Sequence, residues 1–167
     1  MSARIQAIYL SVDHNYFGHH GKPSGKAPML EAEGARCVAG KGIEGDRFFG
    51  WKPDYKGQIT FFCHEVYEEL CQKLEVSGRD PSVFRRNVVT CGIDLNSLIG
   101  QRFRFQGILF EGTEEASPCY WMEEAFGEGA EEAMKGNGGL RARILEDGVL
   151  RVGPADLEDL GPANIES

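Results

Sequence analysis

Glycine sets the first limit on this fold, because 22 of the 167 residues are glycine and they fall between short apolar runs. A chain broken so often builds short elements joined by tight turns. The runs that remain alternate apolar and polar side chains. In Gln101–Phe105, Phe103 and Phe105 share one face while Arg102 and Arg104 take the other. Leu140–Leu145 repeats this with Arg141 and Arg143 opposite an apolar face, and Asp147-Gly148 reads as a hairpin turn into Val149–Val152. Arg4–Val12, Ala35–Ala39, Gln58–Cys63, Arg85–Thr90 and Ile108–Glu111 are further strand candidates.

Helical periodicity is scarcer. Over His64–Val76, Val66, Leu70 and Leu74 recur four apart, Tyr67 and Cys71 widen the stripe, and glutamates fill the other face before Ser77-Gly78. A second helical region starts near Pro118, breaks at Gly127-Glu128-Gly129 and resumes over Ala130–Lys135, with Met122 and Phe126 as core positions. Residues 13–33 read as a long exposed loop, 40–47 as a tight glycine-dense loop, and 154–167 as an acidic polar tail. So few crossover helices argue against a parallel α/β sheet. The expected fold is mainly β, a mixed or antiparallel barrel with a few peripheral helices, over one domain spanning residues 1–167.

Charge narrows the function classes. The formal net charge is −8, from 18 Lys and Arg against 26 Asp and Glu. Residues 1–57 carry 8 basic and 6 acidic side chains, residues 58–167 carry 10 and 20. Non-specific nucleic-acid binding, which depends on neutralising phosphates, is not expected. No apolar run is long enough to span a membrane, and nothing directs the chain out of the cytoplasm. Within the acidic half the basic residues come in pairs: Arg85/Arg86, Arg102/Arg104 and Arg141/Arg143. Either the pairs converge on a small anion, or each is solvated or bonded to a nearby carboxylate.

The five cysteines form no CxxC pair, and His14, His19, His20 and His64 lack a partner cysteine motif. Neither a disulfide framework nor a structural zinc site is expected. Ser117-Pro118-Cys119 is the suggestive cysteine context. With Ser117 as cap and Pro118 opening a helix, Cys119 would stand among unpaired N–H groups that lower a thiol pKa. The plainer reading is a buried, inert thiol. Asp46-Arg47 is either catalytic or an ion pair bracing its loop. The GxG pieces lack the setting of a phosphate-binding P-loop.

Several ordered motifs resemble the MOSC family, named after the C-terminal domain of molybdenum cofactor sulfurase, and most closely its stand-alone bacterial type. They are Gly42–Arg47, Gln58-Ile59-Thr60, Arg85–Val89, Gly92–Gly100, and the stretch from Glu111 through Cys119 to Gly138–Arg143. The resemblance implies a β-barrel domain whose Cys119 carries sulfur as a persulfide or contacts the molybdenum. It implies that Asp46 and Arg47 line the cleft, and that Arg85, Arg86, Asn87, Arg141 and Arg143 are candidates for binding molybdenum cofactor (molybdopterin). The family is associated with pyridoxal phosphate through larger sulfurases, whose pyridoxal-phosphate domain does not fit in this length. Sulfur would therefore arrive from a partner such as a cysteine desulfurase. Ala116 stands where many relatives have a second cysteine, which excludes a dithiol relay, and Phe48 stands where relatives often have histidine.

Three functions compete on these residues. The first is a sulfur carrier acting on molybdenum cofactor. The second is the cofactor-binding component of a reductase of N-hydroxylated compounds, working with a molybdoenzyme or electron-transfer partner and using Cys119 as metal ligand. The third is a non-catalytic anion-binding adaptor.

Overall fold

The computed structural model describes residues 3–12, 29–118 and 121–163. The alternating runs form strands β1 (Arg4–Leu10), β2 (Leu30–Ala32), β3 (Gly34–Val38), β4 (Gly42–Ile43), β5 (Ile59–Cys63), β6 (Val88–Cys91), β7 (Gln101–Phe105), β8 (Ile108–Glu115), β9 (Leu140–Ile144), β10 (Gly148–Arg151), β11 (Gly153–Pro154) and β12 (Leu157–Pro162). The helices are α1 (His64–Lys73), α2 (Trp121–Ala125) and α3 (Ala130–Met134), with 3-10 turns at Pro81–Phe84 and Leu95–Leu98.

The large sheet runs β11-β1-β6-β5-β9-β8-β7-β12, with β2 added beside β1, and a small sheet runs β10-β3-β4. β5 and β6 are parallel, and the crossover that parallel pairing requires is supplied by α1 and the turn at Pro81–Phe84.

The sheet is not closed, which corrects the expected barrel. Closure needs hydrogen bonds between the terminal strands, and β11 and β12, the two ends of the path, do not pair with each other. β11 is two residues long, pairs with β1 through Arg4↔Pro154 and Ile5↔Gly153, and contains a proline without an N–H to donate. The chain then crosses from one edge to the other through Ala155 and Asp156. Ala155 N–H donates to Ala3 O at 3.1 Å, and Asp156 O accepts Gln106 N–H at 3.1 Å.

Alternation separates two layers. Ile59 and Phe61 of β5 join Phe103, Phe105, Phe110, Leu140 and Ile144 in the main core. There the Phe61 ring stands edge-on to Phe103, Phe105 and Phe110. Phe62 points the other way, into a second cluster with Leu70, Phe84, Met122, Phe126 and Met134, so the helices cover that face of the sheet. Met122 and Phe126 are core, as their spacing predicts.

Other departures have local causes. α1 stops at Lys73, short of Val76, because Glu75 takes a left-handed φ of 53° and Val76 N–H donates to Cys71 O, an ending usually given to glycine. Asp147-Gly148 is not a hairpin turn: β10 leaves β9 and pairs with β3, from Gly148↔Cys37 to Arg151↔Gly34. The Asp147 carboxylate accepts the Ala39 N–H at 2.8 Å and holds the chain toward β3. Residues 30–32 of the expected long loop form β2, while 13–28 lie outside the described residues. The expected polar tail contains β12, an exposed strand with Glu158 and Asp159 that pairs with β7 by backbone bonds. Acidic side chains there discourage further edge pairing.

Candidate functional site

Three strands bring polar residues to one end of the large sheet. β1 is antiparallel to β6, and β6 is parallel to β5, so Ser11 just after β1, Asn87 just before β6 and Thr60 near the start of β5 become neighbours. Asn87 locks this edge. Its Oδ1 accepts from Thr60 N–H at 3.0 Å and from the Thr60 hydroxyl at 3.1 Å, and its amide donates to Tyr9 O at 3.2 Å. Asn87 is buried, so these bonds satisfy an amide that water does not reach.

Asp46 arrives from the loop after β4; Gly42 in that strand and Gly45 in the loop hold positive φ values of 130° and 85°. Its Oδ1 accepts from Ser11 N–H at 3.1 Å and from Arg47 Nη1 at 2.9 Å, and Oδ2 accepts from Phe48 N–H at 3.4 Å. The Asp46 side chain is 0% exposed and that of Arg47 6%. Arg47 Nη2 also donates to Arg85 O at 2.8 Å. Its guanidinium lies 4.8 Å from the centre of the Phe48 ring, which stacks on Tyr55 and meets Trp51 edge-on. Phe48 therefore packs the Arg47 guanidinium against an aromatic group.

Arg85 is itself buried and left-handed, with φ 57° and ψ 35°. Such a conformation costs a non-glycine residue roughly 1–2 kcal/mol and marks a constrained position. The constraint is visible on both sides. Upstream, Asp80 caps the turn at Pro81–Phe84 by accepting Ser82 N–H at 2.9 Å, and it accepts the Tyr9 hydroxyl at 3.0 Å. Burial opposes ionisation of Asp80, but these bonds hold its pKa below the usual value. Downstream stands the Asn87 lock. Arg85 Nη2 donates to the Ser11 hydroxyl at 2.9 Å, completing a buried group of Ser11, Asp46, Arg47 and Arg85.

Arg86 goes elsewhere. Its Nε donates to Gly138 O at 2.9 Å, Nη2 to Ala116 O at 2.7 Å and Nη1 to Phe84 O at 3.0 Å. Residues 115–118 and 138–139 are bound to each other as well: Ala116 N–H donates to Gly139 O at 2.9 Å, and Gly138 N–H to Glu115 Oε2 at 3.0 Å. A Cβ at Gly138 would strike Ala116 O and come within 2.8 Å of Pro118 Cδ, and one at Gly139 would strike Phe61 O.

The remaining arginines divide. Arg141 lies opposite both Thr60 and Glu114, with its guanidinium 3.9 Å from the Glu114 carboxylate. Arg143 pairs with Glu111 and Asp54, each at 3.0 Å. Arg102 pairs with Glu111, and Arg104 with Glu146. Arg85 thus shares a buried group with the Arg47–Asp46 ion pair, and Arg102, Arg104, Arg141 and Arg143 each meet carboxylates of their own. Sequence reasoning gave no role to Ser11, Thr60 or Glu115: Ser11 stands in no motif, while Thr60 and Glu115 lie inside motifs that carry the family resemblance without marking them out. Asp80-Pro81 was the legible signal for the cap.

Cys119 lies outside the described residues, as do His14, His19 and His20. Ser117 and Pro118 carry no regular structure and α2 is described over Trp121–Ala125; the expected helix start runs through residues 119 and 120, which lie outside the described residues. The described cysteines are free. Burial pushes the Cys37 thiol up to about 12. Burial together with Glu65 and Asp94 pushes Cys63 up to about 11, so both stay protonated at neutral pH. Among the described residues no three His, Cys, Asp or Glu side chains group to hold a metal ion. Among the same residues, no helix is long and apolar enough to cross a membrane.

These features define a class: an open, mixed β-sheet domain with a helical layer on one face and a buried arginine–aspartate group at the strand ends. The MOSC domain model matches residues 19–155, and the chain belongs to that family. The YUAD protein from Bacillus subtilis has a similar fold, with a TM-score of 0.73 and 20% identity over 94% of each chain. YiiM from Escherichia coli gives a TM-score of 0.62 and 18% identity, over 93% of this chain and 69% of that one. YiiM from Geobacillus stearothermophilus gives 0.64 and 15%, over 93% and 75%. At these identities the likeness shows the fold alone. No curated protein matches the chain in sequence. The family's association with pyridoxal phosphate does not carry over: the match is to the MOSC domain, and no pyridoxal-phosphate motif accompanies it among the described residues.

Proposed function

We propose that this chain is a sulfur-carrier domain in which Cys119 holds a persulfide and molybdenum cofactor is the acceptor substrate. The observation that carries the reading is the Arg85–Arg86 step. One arginine belongs to the buried group with Ser11, Asp46 and Arg47, and the next binds Ala116, three residues before Cys119. A buried cluster of two arginines around the Asp46 carboxylate and the segment leading to the thiol are thereby tied to one dipeptide. The donor set fits a phosphate-bearing acceptor, because the guanidiniums of Arg47 and Arg85 and the Ser11 hydroxyl are of the kind oxyanions require. Arg141, on the same sheet face as Thr60, is a further candidate, and Asn87 orders the edge from which Arg85 projects.

In the loading step the Cys119 thiolate attacks the terminal sulfur of a donor persulfide, as on a cysteine desulfurase. The donor S–S bond breaks as the Cys119 S–S bond forms, and the donor cysteine leaves as thiolate. One sulfur atom moves and no external oxidant is consumed. With Ala116 at the upstream position, no second thiol at 116 can take that sulfur.

Intact mass after incubation with a cysteine desulfurase and cysteine tests the reading. A gain equal to one sulfur atom, lost in C119S, is expected. No adduct with several persulfide donors sinks it. Protein that purifies with stoichiometric molybdenum and molybdopterin would instead assign Cys119 as a metal ligand in a reductase. A C119S variant with unaltered biological activity would leave an anion-binding adaptor.

A further inference from the structure

We infer that Arg86 is a positioning residue that fixes the segment entering Cys119. Its consequence at the thiol rests on the sulfur-carrier reading. The Nε–Nη2 edge of a guanidinium presents two parallel N–H groups in a rigid plane. Here that edge spans two chain segments, reaching Gly138 O at 2.9 Å and Ala116 O at 2.7 Å. The third donor, Nη1, returns to Phe84 O at 3.0 Å and fastens the side chain to its own turn.

The bridge sits where backbone is packed against backbone. Gly138 and Gly139 lack the Cβ that would collide with Ala116 O and Phe61 O, and the Ala116 and Gly138 amides bond back across the same junction. Removing the guanidinium leaves the Gly138 and Ala116 carbonyls without this donor and loosens a junction that reaches Pro118, the residue next to Cys119. Lysine is a poor substitute, because its single ammonium is a compact point charge without a planar fork. A phosphate ligand, by contrast, tolerates lysine in place of arginine. The two roles therefore diverge in one substitution.

The test uses the full chain as wild type, R86K and R86Q. Amide hydrogen exchange at Ala116 and Gly138 is measured together with the rate of Cys119 alkylation against pH. The expected result is that both variants exchange these amides about tenfold faster or more and shift the alkylation profile, with lysine failing to rescue. R86K matching wild type in both measurements, while R86Q alone loses binding of inorganic phosphate, would overturn the inference in favour of a ligand role. If neither arginine variant folds, G138A opens the same junction from its other side, and an unchanged alkylation profile there also overturns it. Alkylation is measured on protein first freed of any persulfide by a reductant, so it reads the Cys119 thiol itself. A wild-type chain that never accepts sulfur thus ends the carrier reading and leaves the positioning role separately decided.

Discussion

Replacing Asp46 by asparagine tests whether the Asp46–Arg47 pair braces the site. The substitution keeps the side-chain shape and removes the charge. In the wild-type fold the carboxylate accepts from Ser11 N–H, Arg47 Nη1 and Phe48 N–H, with both partners of the ion pair almost wholly out of water. Removing one member of a buried pair costs about 3–5 kcal/mol, chiefly because the other charge is stranded. Arg47 keeps its bond to Arg85 O and its place over the Phe48 ring, which directs the expectation to the lower end, about 3 kcal/mol. For a domain of this length each kcal/mol lowers Tm by roughly 2–4 °C, so the loss is about 6–12 °C. Equilibrium urea unfolding of D46N, R47M and the double variant gives the coupling directly, with an unchanged m value as the check on two-state behaviour. The double variant strands neither partner of the pair and is expected to lose at least about 1 kcal/mol less than the sum of the singles. A D46N variant within about 1 kcal/mol of wild type, or singles that add without coupling, would refute the bracing argument.

Three further outcomes follow from particular contacts. D80A removes the cap of the turn that delivers Arg85, and Asp80 is exposed, so the loss at neutral pH is about 0.5–1 kcal/mol. Because the folded-state pKa of Asp80 is lowered, its contribution is fully present above the ordinary carboxylate pKa and falls away as pH drops through the folded value. Urea midpoints of wild type and D80A should therefore converge toward acid; parallel curves would contradict the assignment. Cys37, with its thiol raised to about 12 by burial, should resist iodoacetamide at pH 8 until the chain unfolds. Peptide mapping that finds native-state labelling faster than global unfolding would count against its burial. G112A places a Cβ against Leu98 O in a backbone that is not left-handed, so its cost is steric, about 1–3 kcal/mol by urea melt. A neutral G112A would show that the contact relaxes freely.

Much of the sheet was legible because side-chain period and strand geometry coincide. Phe103 and Phe105 alternate with arginines and enter the core together, and the Val66–Leu70–Leu74 spacing marks the helix that covers Phe62. Closure was not legible, since it depends on whether two edges bond to each other. No pattern within Gly153–Pro162 distinguishes a ladder between the edges from a chain that steps across them in two residues. β12 was read as tail for a related reason: its side chains are largely exposed, so its pairing rests on backbone bonds that leave no hydrophobic signature. The partner of β10 was hidden too, because an Asp-Gly turn reads alike whether its aspartate serves the turn or, as here, a distant amide.

The site shows the same division at the scale of two residues. Arg85 and Arg86 are identical in type and adjacent, and in sequence they read as one basic pair, either facing an anion together or solvated and bonded to carboxylates. The left-handed backbone at Arg85 undoes that equivalence. It follows from the Asp80-capped turn on one side and the Asn87 lock on the other, neither of which resides in the arginines. Arg85 is turned inward to Ser11, and Arg86 is carried across to Ala116 and Gly138. Charge counting treats both as available to a ligand, but a guanidinium engaged with three carbonyls acts first on the backbone it binds. The glycines at 138 and 139 follow the same logic: the sequence excludes a phosphate-binding P-loop there without giving them another task, and their use is to let three backbone segments meet around one side chain. Where backbone crowds backbone, the residue that fits is dictated by a neighbour distant in sequence, so the motif can be recognised before its task can be read.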